Sequence, residues 1–367
     1  MANTVKHINN RIHSLDALRA FTLIGILFIH TSQLFNYNNP HNDILFTNID
    51  HNAIYLFIDK YLTDRFRIIF SILFGVSFYL LSNNSYYPKK KFVWRCMILI
   101  LIGIINKTFY TTDILLLYGV CGIMMLPFLK LKINKILCLA IFLWSIKIIS
   151  YHYNIQILEN RDYGIRYLMQ QNFITVIQYP INYAIFDYIT IIFPFGITDT
   201  LSYFFIGYII ADYGIIYKLD YLKIYNRYGI ILIIATIIVS IFFHFTYDPF
   251  IKNIFYLLSA ISYSYIFICL YNHAKEYFIK ISTLEQMGRL GLTNYTCIDL
   301  FGVLFVSSFV FKYNLTFCYI FCFSLIILVF LLIFSNIWLS YHKNGPMESA
   351  WRKLTNICFQ YSNKKAL

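Results

Sequence analysis

The chain has 367 residues, of which 59% are hydrophobic and only 13% carry a charged side chain. Apolar runs of about 20 residues recur along its whole length, a pattern typical of an integral membrane protein that excludes a soluble globular domain. The formal net charge is +13. Because the basic residues follow the segments between apolar runs, they indicate membrane topology and not a nucleic-acid partner.

The apolar runs predict an all-α, polytopic transmembrane helix bundle. Ten spans are predicted near residues 15–37, 66–82, 92–108, 112–130, 134–151, 186–211, 228–246, 252–273, 289–311 and 315–340. Cytoplasmic placement of both termini puts most of the 30 basic residues on the inner side, as the positive-inside rule requires. We expect a single membrane domain over 1–367, with outer segments at 38–65 and 152–185 and a cytoplasmic tail at 341–367.

The first predicted helix carries two basic side chains on one face. Arg19 and His30 are eleven residues apart, so at about 100° per residue they share nearly one azimuth, about 16 Å apart along the axis. Ionisable groups inside a membrane helix usually face the bundle interior or a wet cavity. Asp16, one turn before Arg19, is either part of a ligand site or a local ion pair that anchors the helix.

Polar residues near the outer ends of two further helices have two interpretations each. Asp113 begins the fourth helix at the level of His30, where it either orients His30 as a catalytic partner or caps its own helix. Arg67 heads the second helix, where it either holds an anionic substrate or contacts lipid headgroups. Ser71 and Gly75, four residues apart, favour close helix packing.

The second half of the chain adds three features. The segment 193–199 (FPFGITD) either unwinds the sixth helix at a binding cavity or kinks it. Arg289 and Asn294 at the start of the ninth helix either bind a cofactor phosphate or serve helix packing. Glu348 and Arg352 predict a short cytoplasmic helix with a pair at i,i+4.

Several catalytic signatures are missing from the chain. It has no Gly-rich phosphate loop ending in Gly-Lys-Ser/Thr, no Gly-x-Ser-x-Gly elbow and no His-Glu-x-x-His motif, which removes support for ATP-driven transport and zinc hydrolysis. No metal site is predicted. The eight cysteines fall in predicted spans or on the inner side, so no disulfide framework is expected.

Five short motifs give the chain a family resemblance. They are residues 15–21 (LDALRAF), 70–75 (FSILFG), 113–115 (DIL), 288–295 (GRLGLTNY) and 345–352 (GPMESAWR). In this order they resemble the YeiB family of bacterial inner-membrane proteins. That family is distantly similar to membrane acyltransferases of the acyltransferase-three and heparan-glucosaminide acetyltransferase type. The YeiB family usually has Asn at the position of His30, whereas the acyltransferase-three signature is an Arg, ten residues and a His, as Arg19 and His30 are here. At the position of Asp299 the family usually has a small polar residue, so the resemblance implies no role for Asp299.

The resemblance implies a multi-pass inner-membrane O- or N-acyltransferase with acyl-CoA, such as acetyl-CoA, as the donor. The acceptor would be a glycan or glycolipid hydroxyl at the outer side of the bilayer. A desolvated, neutral imidazole at His30 can take the hydroxyl proton or accept the acyl group. Arg19 would pair with Asp16 or meet the donor phosphates.

Three alternatives remain open at this stage. His30 can simply hydrogen-bond a neighbouring helix. The same polar residues can line the path of a transporter or permease, although paired broken helices, typical of such proteins, are not apparent. A non-catalytic envelope or immunity factor is the third alternative. The oligomeric state is not determined by the sequence.

Overall fold

The structure, a computed structural model, describes residues 11–38, 57–84, 87–107, 113–146, 193–222, 227–246, 249–277, 282–305 and 317–364. The α-helices in these ranges are α1 (His13–Asn38), α2 (Arg65–Ser82), α3 (Lys89–Asn106), α4 (Leu115–Met125), α5 (Ile133–Ile146), α6 (Phe193–Asp212), α7 (Arg227–Thr246), α8 (Pro249–Tyr277), α9 (Ser282–Arg289), α10 (Gly291–Phe305), α11 (Phe317–Tyr341) and α12 (Pro346–Lys364). A π-helical turn lies at Ile58–Leu62, and 3-10 helices lie at Leu126–Lys130 and Ile215–Tyr221. These ranges contain no strand, so the all-α prediction is confirmed for them.

Four of the described stretches are long and apolar enough to cross a membrane. They are His13–Gln33, Lys60–Ser82, Phe250–Lys275 and Phe321–Tyr341. A fifth results if Gly196–Asp212 and Ile215–Tyr221, which meet at 72°, form one bent span. Each of the ten predicted spans overlaps a described helix. The predicted outer segment 152–185, and residues 39–56 of the other one, lie outside the described residues.

The first helix lies in the core of the bundle, and the eleventh lies at its perimeter. In the apolar window of α1, 78% of the residues are buried, against 22% in that of α11. Ala17, Leu23 and Leu27 of α1 are inaccessible, whereas Ile326 and Ile337 of α11 are more than half exposed. An apolar helix that is buried all round belongs to the interior, and one with an exposed apolar face is suited to contact lipid.

Two glycines bring α2 and α6 into backbone contact. A Cβ atom on Gly75 would lie 2.1 Å from the carbonyl oxygen of Phe204, and one on Gly207 would lie 2.0 Å from that of Ile72. Neither position therefore leaves room for a side chain, and the helices approach as closely as small residues allow. The close packing predicted for Gly75 is confirmed.

The sixth helix is not broken where its proline and glycine predicted. α6 runs continuously from Phe193, where the described residues resume, to Asp212. The 72° bend follows Asp212, at Gly214, whose φ of +69° glycine adopts at little cost. The prediction of an unwound segment at 193–199 is therefore wrong.

Candidate functional site

A cavity of about 430 Å³ opens among α1, α2, α3, α4, α9, α10 and α12, and we call it the central cavity. Apolar residues of α2 from Phe70 to Leu81 form one wall, a length of about 16 Å. The charged residues of its lining are Arg11, Asp16, Arg19, Arg95, Arg289, Glu348 and Arg352. Five arginines face two carboxylates, so the charged end of the cavity attracts anions.

Asp16 holds two of these arginines. Its Oδ1 accepts from Nη1 of Arg19 at 2.7 Å, and its Oδ2 accepts from Nε of Arg11 at 2.5 Å. A second guanidinium nitrogen of Arg19 donates to Oγ of Ser77 in α2 at 2.9 Å. The local ion pair predicted for Asp16 and Arg19 is confirmed, and its effect is to fix the Arg19 guanidinium against the cavity wall.

A buried imidazole and carboxylate lie beyond the opposite end of the cavity. Nδ1 of His30 and Oδ1 of Asp299 are 2.5 Å apart, and the two residues are 7% and 0% exposed. If the Asp299 carboxylate is ionised it can only accept, and this contact then places the proton on Nδ1 and leaves Nε2 as the acceptor nitrogen of the ring. An imidazole held in this tautomer can take a proton at Nε2, and the carboxylate stabilises the imidazolium that forms.

The aromatic ring of Tyr295 separates this pair from the central cavity. Tyr295 lines the cavity, whereas His30 does not. The Tyr295 ring also stacks on Phe70 of α2, with centroids 6.2 Å apart. Arg19 therefore lies in the cavity, and His30 lies one ring beyond it.

Asp113 belongs to the same polar cluster and is joined to Asp299 through Asn106. Nδ2 of Asn106 donates to Oδ2 of Asp299 at 2.5 Å and to Oδ1 of Asp113 at 2.9 Å. Oδ2 of Asp113 accepts from the backbone N–H of Leu115 at 3.0 Å, so it also serves the start of α4. Asn106 is thus the link between the two carboxylates, and it is itself 3% exposed.

Arg67 lies in a separate cluster outside the cavity lining. Its Nη2 donates to Oδ2 of Asp199 at 2.8 Å, and the same guanidinium contacts Oδ1 of Asp64 at 3.1 and 3.2 Å. Asp64 has a φ of +66°, a strained conformation for a residue other than glycine. The charge of Arg67 is therefore balanced inside the protein by two carboxylates.

Arg289 and Asn294 lie in different surroundings. Arg289 lines the central cavity and donates to the carbonyl of Lys343 at 3.4 Å. Asn294 is fully buried, and its Nδ2 donates to the carbonyl of Met287 and to Oγ of Ser335 at 2.9 and 3.0 Å. The contacts of Asn294 join α10 to α9 and α11, which is helix packing, while Arg289 is placed to meet a ligand.

Glu348 binds the start of α10. Its Oε1 accepts from the backbone N–H groups of Leu292 and Thr293 at 2.8 and 3.1 Å, and its Oε2 accepts from the Thr293 hydroxyl at 2.5 Å. The predicted helix is present as α12, but the carboxylate bonds to α10 where the sequence predicted a pair with Arg352. Unpaired N–H groups at a helix start attract an anion more strongly than an exposed neighbouring cation does.

Sequence reasoning missed Asp299, Asn106 and Tyr295 as members of the site. Asp299 carried a usable signal, because a carboxylate in a predicted span is as costly as the imidazole of His30. In the described part of the chain no group of three or more His, Cys, Asp or Glu side chains is placed to hold a metal ion.

Comparison with known proteins identifies relatives but no activity. Residues 218–357 match the family described as "Protein of unknown function (DUF418)", which is the YeiB-like family, so the resemblance is confirmed over that stretch. The chain is similar to the "Uncharacterized 39.9 kDa protein in amylase 3'region" of Bacillus acidopullulyticus, with 27% identity across 95% of this chain and 94% of the relative. It is also similar to "Uncharacterized protein YxaH" of Bacillus subtilis (strain 168), with 22% identity across 97% of each chain. No solved structure matches the chain.

Proposed function

We propose that this protein is a multi-pass acyltransferase that moves an acetyl or similar acyl group from acyl-CoA to a glycan or glycolipid hydroxyl. The observation that carries the proposal is that Tyr295 of the arginine-lined cavity contacts the ring of His30, which is paired with Asp299. An anion-attracting mouth suits a donor with several phosphates, and an oriented imidazole suits proton removal from a hydroxyl.

The proposed topology places the charged end of the central cavity and His30 on different sides of the membrane. With ten crossings of the bacterial inner membrane and both termini cytoplasmic, the charged end of the central cavity faces the cytoplasm, where acyl-CoA is found. His30, eleven residues further along α1, then lies in the outer half of the bilayer. The acceptor would reach it from the outer side, and the donor would enter from the inner side.

The reaction assigns one task to each described group. Nε2 of His30 takes the proton of the acceptor hydroxyl while that oxygen attacks the thioester carbonyl. Collapse of the tetrahedral intermediate breaks the C–S bond, and the CoA thiolate leaves and recovers the proton, which gives an acyl ester and free CoA. Asp299 keeps His30 in its tautomer, and Tyr295 must turn aside for the thioester to approach.

A specific observation favours proton-coupled transport as the second candidate. His30, Asp299, Asn106 and Asp113 form one continuous buried chain of polar groups. Buried chains of acids and histidines are typical proton paths of pumps and transporters. In such a transporter the closed position of His30 behind Tyr295 would be the occluded state.

Purified full-length protein tests the two candidates against each other. We expect wild type to bind labelled acetyl-CoA and to cleave or transfer its acetyl group, and we expect His30→Gln to bind it with the chemistry abolished. An unaltered melting temperature of His30→Gln would show that this variant is folded. Asp299→Asn is a second variant for the same binding and cleavage measurements, because it removes the carboxylate that orients His30. Failure of wild type to bind or cleave acetyl-CoA would overturn the proposal that the protein is an acyltransferase. Proton-coupled substrate uptake into sealed vesicles that is lost in His30→Gln, together with no cleavage of acetyl-CoA by wild type, would favour the transporter.

A further inference from the structure

A second cavity, of about 380 Å³, lies beside the central cavity, between the start of α3 and one face of α12. Its lining residues are Tyr87, Lys91, Arg95, Trp351, Arg352, Thr355 and Asn356. We call it the α3/α12 pocket. Arg95, Trp351 and Arg352 line both cavities, so the two spaces share one wall. Each volume is within the range of about 300–1,000 Å³ that small-molecule sites occupy.

The lining of the α3/α12 pocket combines positive charge with aromatic rings. Three of its residues, Lys91, Arg95 and Arg352, are cationic, and no carboxylate is part of the lining. The Arg95 guanidinium lies 4.0 Å from the centre of the Trp351 ring, and Nζ of Lys91 lies 5.4 Å from that of Tyr87. The excess positive charge favours binding of an anion, and the planar guanidinium group of an arginine matches the spacing of the oxygens of a phosphate.

The wall shared by the two cavities is fixed by a hydrogen bond as well as by stacking. Nε1 of Trp351 donates to the carbonyl of Arg95 at 2.8 Å, so the indole is held between α3 and α12. Ring stacking of this kind accepts any planar base. Asn356 adds an amide that can donate and accept at the edge of a heterocycle. Phosphate groups together with a planar heterocycle define a nucleotide.

We propose that the α3/α12 pocket binds a phosphorylated purine nucleotide. The assignment rests on the proposed function for the identity of the whole ligand: the nucleotide is the adenosine 3′,5′-bisphosphate end of acyl-CoA. The rest of the donor then passes the Arg95–Trp351 wall and extends along the central cavity toward Tyr295. The second source of the same chemistry is the phosphate of an anionic lipid headgroup.

Equilibrium dialysis of purified full-length protein with adenosine 3′,5′-bisphosphate tests the assignment. Wild type is expected to bind it, with affinity that falls as salt rises. Lys91→Gln and Arg352→Gln are each expected to weaken binding about tenfold, the effect of one charged hydrogen bond. Lys353→Gln is the matched control, because it removes a charge from the same helix at an exposed position outside the lining. Equal binding by wild type and both lining variants would overturn the assignment.

Two further arms separate this assignment from the proposed function and from lipid. Acetyl-pantetheine lacks the nucleotide, so Lys91→Gln and Arg352→Gln are expected to raise the apparent KM for acetyl-CoA more than that for acetyl-pantetheine, whereas the control Lys353→Gln changes neither. Binding of the bisphosphate without any thioester cleavage would support the nucleotide assignment of the α3/α12 pocket and overturn the acyltransferase proposal. Cleavage of acetyl-CoA without binding of the bisphosphate would support the acyltransferase proposal and overturn the nucleotide assignment. Binding of phosphatidylglycerol vesicles, lost in the lining variants, with no binding of the bisphosphate would assign the pocket to lipid and overturn the nucleotide.

Discussion

Tyr295 presents its ring edge-on to His30, with the ring centroids 5.7 Å apart and the planes at 81°. Tyr295 is itself fully buried and is part of the lining of the central cavity, at the end away from its charged residues. Access to the imidazole from the cavity is thus controlled by one side chain.

Replacement of Tyr295 should open His30 to the cavity. In Tyr295→Ala the removed ring leaves a path to the imidazole, so carbethoxylation of His30 by diethyl pyrocarbonate should proceed several-fold faster than in wild type. Mass spectrometry of the peptide that contains His30 measures the rate. Tyr295→Phe keeps the ring and should react like wild type. An unchanged rate in Tyr295→Ala would mean that the ring does not block access.

Asp299→Asn should destabilise the protein because an amide cannot replace both functions of the carboxylate. The two oxygens of Asp299 accept from His30 and from Asn106, and an asparagine would place an N–H group opposite one of these donors. Loss of a hydrogen bond to a charged group costs about 1.5–3 kcal/mol. The melting temperature in detergent measures the loss. Asp212→Asn, at an exposed position, is the control and should melt like wild type.

A double-mutant cycle should show that Arg67 and Asp199 stabilise each other. Asp199 is 3% exposed, and loss of one partner of a buried ion pair costs up to about 3–5 kcal/mol; Asp64 still faces Arg67 when Asp199 is replaced, so Arg67→Met is expected to be the more costly of the two changes. Arg67→Met and Asp199→Leu should each lower the free energy of unfolding by several kcal/mol. The double variant should recover much of that loss. Strictly additive losses would show that the two side chains do not interact.

Glu348→Gln should weaken the attachment of α12 to α10. The neutral amide loses the charge that faces the N-terminus of α10, at a cost of about 1 kcal/mol, which thermal unfolding detects. If the carboxylate instead acted through Arg352, then Arg352→Gln would be equally destabilising. We expect Arg352→Gln to melt like wild type, because the contacts of Glu348 are with Leu292 and Thr293.

Gly75→Val should prevent α2 and α6 from packing. Its side chain would occupy the position of the Phe204 carbonyl, and since the obstacle is backbone, the helices must separate. Overpacking costs about 1–3 kcal/mol or more, and we expect little folded protein by size-exclusion chromatography. Gly291→Ala is the control, because a Cβ there has nothing within 4 Å. Normal yield of Gly75→Val would show that the helices can shift.

The sequence predicted the features that depend on local spacing. Helix positions followed from apolar runs, and the Asp16–Arg19 pair followed from a separation of one turn, which the structure confirms at 2.7 Å. The close contact at Gly75 followed from the small residues of α2. The two residues of the Asp16–Arg19 pair lie in the same helix, and at Gly75 the lack of a side chain alone predicts the close helix contact.

Partners across the bundle were beyond a single sequence. His30 and Asp299 are separated by 269 positions, so no spacing rule connects them, and Asp113 was the nearest carboxylate that topology alone suggested. The structure inserts Asn106 between the two carboxylates.

The indole of Trp351 forms part of the one wall that the two cavities share, and this gives the molecule a built-in optical reporter. The chain contains four tryptophans, so Trp351→Phe in a difference spectrum isolates its emission. A molecule that settles on either side of this ring changes the polarity around it or quenches it. The wavelength and intensity of that emission would therefore register occupancy without any attached dye.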